Sequence, residues 1–152
     1  MITTFTVVKF VHILMAIIAV GFNASYGIWL GRAARNPEHE SYVLRGIKVL
    51  DDRFANPAYG LLLVTGVWMV AISPFELATF WIVAALVLYG LGIIPGAVVY
   101  TRTLRKQIAA LESEGPGSAT YRRLSKRGTI VGIVLAVVVV VIVFLMVTKP
   151  TL

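Results

Sequence analysis

The sequence contains no cysteine. Disulfides, thiolate metal sites and cysteine nucleophiles are therefore excluded, and the redox compartment is left unmarked. Only two histidines and seven carboxylates occur in 152 residues, so a metal centre or an acid–base pair would have few residues to draw on. Phosphate-cradling glycine loops, the dinucleotide fingerprint, the paired-histidine zinc motif and the serine nucleophile elbow are all missing, and nothing supports an enzyme of soluble type. Fourteen Lys and Arg give a net charge of +7. That excess does not make a nucleic-acid surface, because the basic residues cluster between apolar runs instead of lining one solvent-facing stripe.

Apolar residues are what the chain has: 59% of it is hydrophobic, with a mean hydropathy of +0.88. This is too apolar for a soluble domain and too short for more than one domain. A bilayer crossing takes about 20 apolar residues. Four helices are expected, at about 5–31, 57–72, 74–102 and 119–148, with loops at 32–56 and 103–118. The first run is too long for the core of a cleavable signal and reads as a membrane helix. Ser73-Pro74-Phe75-Glu76 carries the pattern of a helix cap, first-turn proline and capping-box glutamate. It predicts a very tight turn between the second and third helices, which would be antiparallel neighbours. Asn56-Pro57 predicts the start of the second helix, and the breaker Glu114-Gly115-Pro116-Gly117-Ser118 precedes the fourth.

Two stretches have helical apolar spacing beyond the spans. Val43, Ile47 and Leu50 share one side of a segment that reads as a surface helix or an extension of helix two. Leu104, Ile108 and Leu111 extend helix three with an amphipathic face suited to the membrane surface. The fold expected is all-α, a polytopic membrane four-helix bundle with amphipathic cytoplasmic extensions. Twelve of the fourteen basic residues lie between helices one and two or between three and four. The positive-inside rule then puts both connections in the cytoplasm and both termini outside an inner (plasma) membrane, N-out and C-out. The same basic clusters would meet anionic lipid headgroups.

Ionisable groups inside a bilayer are costly and rarely idle. His12 lies about 10 Å below the outer end of helix one, and Lys9, Ala19, Asn23 and Tyr26 fall within about 60° of it at 100° per residue. This polar face must point into the bundle. One reading makes His12 a haem or metal ligand or a proton-relay group, with Lys9, Asn23 and Tyr26 around it; the other makes it an interhelical hydrogen-bonding residue and lets Lys9 snorkel outward. The second histidine, His39, lies in a cytoplasmic connection on the far side, so a haem would rest on His12 alone or with a Met, Lys or water. Trp68 and Trp81, near the outer helix ends, read as packing or interfacial residues.

Three glycine pairs have the small-xxx-small spacing of close helix packing: Gly27 with Gly31, Gly92 with Gly96, and Gly128 with Gly132. All lie in the cytoplasmic halves, so the bundle is expected to be tight there and wider around His12. Pro95 should kink helix three. Asp51, Asp52 and Arg53 form a charged knot before Pro57, from which Asp52 and Arg53 are expected to anchor helix two at the interface.

The chain resembles a family of bacterial predicted integral membrane proteins catalogued as a domain of unknown function. The resemblance rests on Lys9-x-x-His12, Asp52-Arg53 before Pro57-Ala58, Thr65-Gly66, and the ending Met146-Val-Thr-Lys149-Pro150. It implies the architecture and no established activity. A more distant likeness joins the Lys-x-x-His start to four-helix membrane proteins of the copper-resistance D type and the haem-binding protoporphyrinogen oxidase type. That likeness implies a haem or copper role for His12, although the second membrane histidine is lacking here. Two classes of function follow. The leading one is a non-enzymatic accessory or assembly subunit, joined to other membrane subunits or to copies of itself. The alternative is a haem- or metal-binding redox protein using His12. A component of a small-solute transporter stands further off, because no internal repeat supports it.

Overall fold

The computed structural model describes residues 2–150, which form four long helices and, among the described residues, no strand. They are α1 (Thr4–Ala33), α2 (Pro37–Ala71), α3 (Phe80–Glu114) and α4 (Ala119–Thr148), each long and apolar enough to cross a membrane. α1 and α4 begin at hydroxyl caps, where Thr3 and Ser118 accept from the N–H groups of Thr6 and Tyr121. Gly115 ends α3 at φ 84°, a conformation that favours glycine. The helices alternate in direction. One end of the bundle carries the start of α1 and the finish of α4 (the terminal end), and the other carries the Lys/Arg clusters (the basic end).

At 1.5 Å per residue, rods of 35 residues reach about 52 Å, well beyond a hydrocarbon core of about 30 Å. α2 and α3 therefore continue past the membrane at the basic end. Proline stands inside each rod. Lacking an N–H, and with a ring that crowds the carbonyl four residues back, it cannot sit in an unbroken α-ladder. In both rods a π-turn precedes it, Asp51–Ala55 before Pro57 and Tyr89–Ile93 before Pro95, and the ladder resumes as Asn56 N–H bonds the Asp51 carbonyl and Ile94 N–H the Tyr89 carbonyl. α2 thus does not start at Pro57: most of the expected 32–56 loop is helical from Pro37. Likewise α3 continues through most of 103–118, to Glu114.

The expected start of the third helix at Pro74 is displaced to Phe80. Ser73 Oγ accepts from Phe75 N–H, two residues on instead of three, which closes a turn and not a helix. Phe75 meets Trp81 edge-on at 5.5 Å, and Lys149 Nζ lies 5.1 and 5.7 Å from the two ring centres. This cation–aromatic contact ties the α2–α3 connection to the end of α4.

The two extensions pack on each other. Leu44 and Ile47 of α2 are buried with Tyr100, Leu104 and Leu111 of α3. The Leu104, Ile108 and Leu111 face therefore lies against α2 and its surroundings and not on the membrane surface, since each apolar face covers the other. Arg45 adds a 2.6 Å ion pair to Glu112 of α3, and Tyr121 of α4 donates to Glu40 of α2.

Within the spans, α1 packs on residues 56–71 of α2, α3 packs on α4, and α1 meets α4 between the two pairs. The backbones of residues 56–71 and α3 stand apart, so helices two and three, packed at their extensions, are not the packed neighbours within the spans that a tight connection predicted. Small residues decide this. Ala58, Thr65 and Gly66 turn to α1, while a Cβ on Gly92 or Gly96 would press on Val138 or Leu135 of α4. Gly128 and Gly132 face Thr103, Gln107 and Tyr100 of α3. Gly27 and Gly31 meet nothing. Near His12, Gly66 lets α1 and α2 come close, and a groove of about 430 Å³ opens instead between α2 and α3, reaching Arg102 and Arg105.

Gly96→Val should drive a branched side chain into Leu135 and cost about 1–3 kcal/mol, read as thermal unfolding in detergent. Gly27→Ala should cost nothing. Equal losses would contradict the assignment of the α3–α4 contact to Gly96.

Candidate functional site

Polar groups placed in hydrocarbon are costly without partners inside the protein. On the polar face of α1, His12 and Asn23 find theirs on α2, while the buried Tyr26 hydroxyl has no hydrogen-bond partner among the described residues. Nearest the terminal end, His12 Nδ1 lies 2.9 Å from Thr65 Oγ1, and Thr65 is buried. Thr65 Oγ1 in turn lies 2.6 Å from the Leu61 carbonyl. A threonine hydroxyl has one proton. Spent on Leu61, it leaves Oγ1 to accept from His12 Nδ1–H, so in a neutral His12 the lone pair lies on Nε2. Gly66 completes the seat, because a Cβ there would stand 3.1 Å from His12 Cε1. Lys9-x-x-His12 and Thr65-Gly66, far apart in the chain, are two halves of one contact.

Farther along α1, Asn23 Nδ2 donates to the Ala19 carbonyl at 2.8 Å and to the Tyr59 hydroxyl at 3.0 Å. Tyr89 of α3 donates its hydroxyl to the Tyr59 carbonyl at 2.5 Å, crossing the space between α2 and α3. Tyr26 is buried and stacks on Tyr100, with centroids 6.4 Å apart and planes 6° from parallel. Lys9 is exposed and makes no hydrogen bond or ion pair among the described residues. The four residues expected around a cofactor are thus not gathered at one place. His12, Asn23 and Tyr26 follow one another down α1, each with its own neighbours.

The charged knot behaves differently from expectation. Asp52 pairs with Lys48 on its own helix, and Arg53 is exposed with no ion pair among the described residues. The inward anchor is Asp51, only 3% exposed. Its carboxylate accepts from Thr101 Oγ1 of α3 at 2.7 Å and from Asn56 Nδ2 at 3.2 Å, and Asn56 also bonds Thr101 at 3.3 Å. A signal for Asp51 was available. Leu44, Ile47, Asp51, Ala55 and Ala58, all buried, recur every three or four residues, which is the inner face of a helix that continues through the proline.

These groups form separate cross-ties and not a converging centre. Among the described residues no three His, Cys, Asp or Glu side chains are grouped to hold a metal ion. As a haem site the chain offers the His12 imidazole on α1, with Thr65 holding its Nδ1.

Residues 6–150 match a family model described as "Predicted integral membrane protein (DUF2269)", and the chain belongs to that family, whose function is unknown. No curated protein and no solved structure matches the chain.

Removing the Asp51 carboxylate strands two donors. Asp51→Ala should lower stability by about 1–3 kcal/mol, and Asp51→Asn by less, because its amide oxygen still accepts. Thermal unfolding in detergent decides; identical losses would mean that the hydrogen bonds to Thr101 and Asn56 are not what Asp51 contributes.

Proposed function

We propose that this protein is an accessory or assembly subunit of a larger membrane complex, with no active centre of its own. The observation that carries this reading is an unused packing ridge. Gly21, Ala24, Gly27 and Gly31 lie on the exposed side of α1, and a Cβ at any of the three glycines would meet nothing within 4 Å. Small residues at such spacing let a second membrane helix approach closely, and the chain supplies none there. His12, Asn23 and Asp51, spent on Thr65, Tyr59 and Thr101, serve to hold the bundle. The occupant is another subunit or a second copy of this chain.

We further propose an inner-membrane location with the basic end in the cytoplasm, on the strength of the charge bias. An impermeant maleimide that reached a cysteine placed at Glu112 in intact cells would reverse that orientation.

A second reading has one specific observation behind it. Thr65 holds the imidazole of His12 through Nδ1, so a neutral His12 would present Nε2 as a ligand to haem or a metal, and ligating histidines commonly hold their other N–H in a hydrogen bond.

One preparation separates the two. Gently solubilised from its own membranes, the protein should run well above the size of a single chain and show no Soret band before or after dithionite. Gly27→Leu with Gly31→Leu should reduce it to the single-chain size. A single-chain species from the outset would contradict the subunit reading, and a Soret band lost in His12→Ala would establish the redox one.

A further inference from the structure

The groove between α2 and α3 is an unusual place for open space, because the two helices are consecutive in the chain. Its walls are apolar over most of their length, with Gly60 and Leu63 on α2 and Ile93, Ala97 and Val98 on α3. At the basic end the character changes to Asn56, Thr101, Arg102 and Arg105. From Tyr89 to Arg105 the α3 wall runs about 24 Å, close to the depth of one leaflet with its headgroup layer, about 20 Å. The groove therefore begins near mid-membrane and ends where phosphates lie.

Arg102 and Arg105 are three residues apart, hence neighbours on one helical face. Both are exposed, and neither has a carboxylate within ion-pair distance among the described residues. The nearby carboxylates are committed elsewhere, Asp51 to Thr101 and Asn56 and Asp52 to Lys48. The groove thus offers two guanidiniums with no anion, in register with an apolar trough. Guanidinium donors match phosphate oxygens well.

We propose that this groove is a binding site for one anionic phospholipid, with an acyl chain along Gly60, Leu63, Ala97 and Val98 and the phosphate between Arg102 and Arg105. The lipid fills the gap that the glycine-driven pairing of α3 with α4 leaves beside α2. Headgroup charge confers preference and the trough confers retention, so the site distinguishes a lipid from a free phosphate.

The test uses the full chain, delipidated in detergent, with phosphatidylglycerol and phosphatidylcholine of identical acyl chains, read by native mass spectrometry and lipid-dependent thermal stabilisation. Phosphatidylglycerol should bind about tenfold more tightly or better, the scale expected of two basic residues at an anionic surface. Arg102→Gln with Arg105→Gln should reduce it to the level of phosphatidylcholine, whereas Arg122→Gln with Arg123→Gln, outside the groove, should change nothing. Gly60→Trp puts a large side chain into the trough at a position where a Cβ meets no atom within 4 Å, and it should weaken both lipids. Equal binding of the two lipids, an equal loss in the Arg122 and Arg123 variant, or undiminished binding in Gly60→Trp would each overturn the site. So would glycerol phosphate binding as tightly as the whole lipid.

Discussion

A polar side chain in hydrocarbon has no water to turn to, and this one constraint organises the bundle. His12, Asn23 and Thr65 would each be costly if left facing lipid, and a buried Asp51 carboxylate is costly wherever it lacks hydrogen bonds. Each is answered from another residue of the interior: His12 by Thr65, Asn23 by Tyr59, Asp51 by Thr101 and Asn56. Burying apolar side chains provides no comparable force between helices here, because lipid tails are as apolar as leucine. The cross-ties say which helices must be adjacent, and glycine says how closely they approach. Gly66 admits His12 to the α1–α2 contact, and Gly92 and Gly96 admit Val138 and Leu135 to the α3–α4 contact.

Proline contributes by setting register. In α2 and α3 alike the π-turn begins six residues before the proline, at Asp51 before Pro57 and at Tyr89 before Pro95. The widened turn absorbs the missing N–H without ending the rod. Both turns begin with a residue that ties α2 to α3, through the Asp51 carboxylate and the Tyr89 hydroxyl. Helices two and three are thus linked by side chains at two levels while residues 56–71 of α2 stand apart from α3, which keeps the groove open.

The number of spans, the all-α class and the amphipathic extensions were legible from composition and spacing alone, because membrane thickness and helical period leave few alternatives. The polar face of α1 was legible for the same reason. Three things were not. Proline reads locally as a helix start, and only the π-turn, a tertiary accommodation, shows that α2 passes through Pro57. The partners of Leu104 and Leu111 were hidden because an amphipathic face does not say whether it meets headgroups or another helix. Thr65-Gly66 was legible as an element of the family resemblance, but only packing sets it against His12. Asp51 was hidden beside Asp52 and Arg53, more conspicuous as a pair; the helical register of Leu44, Ile47 and Ala58 picks it out once α2 is read as continuous.

If interhelical hydrogen bonds hold α1 to α2, His12 and Thr65 must be coupled energetically. The measurement is a double-mutant cycle of His12→Leu, Thr65→Val and both together, followed by reversible unfolding in detergent. The account predicts a coupling of about 0.6 kcal/mol and no more than about 1.7, the average and the maximum found for side-chain hydrogen bonds between membrane helices. Strictly additive losses, with no coupling between the two positions, would contradict it.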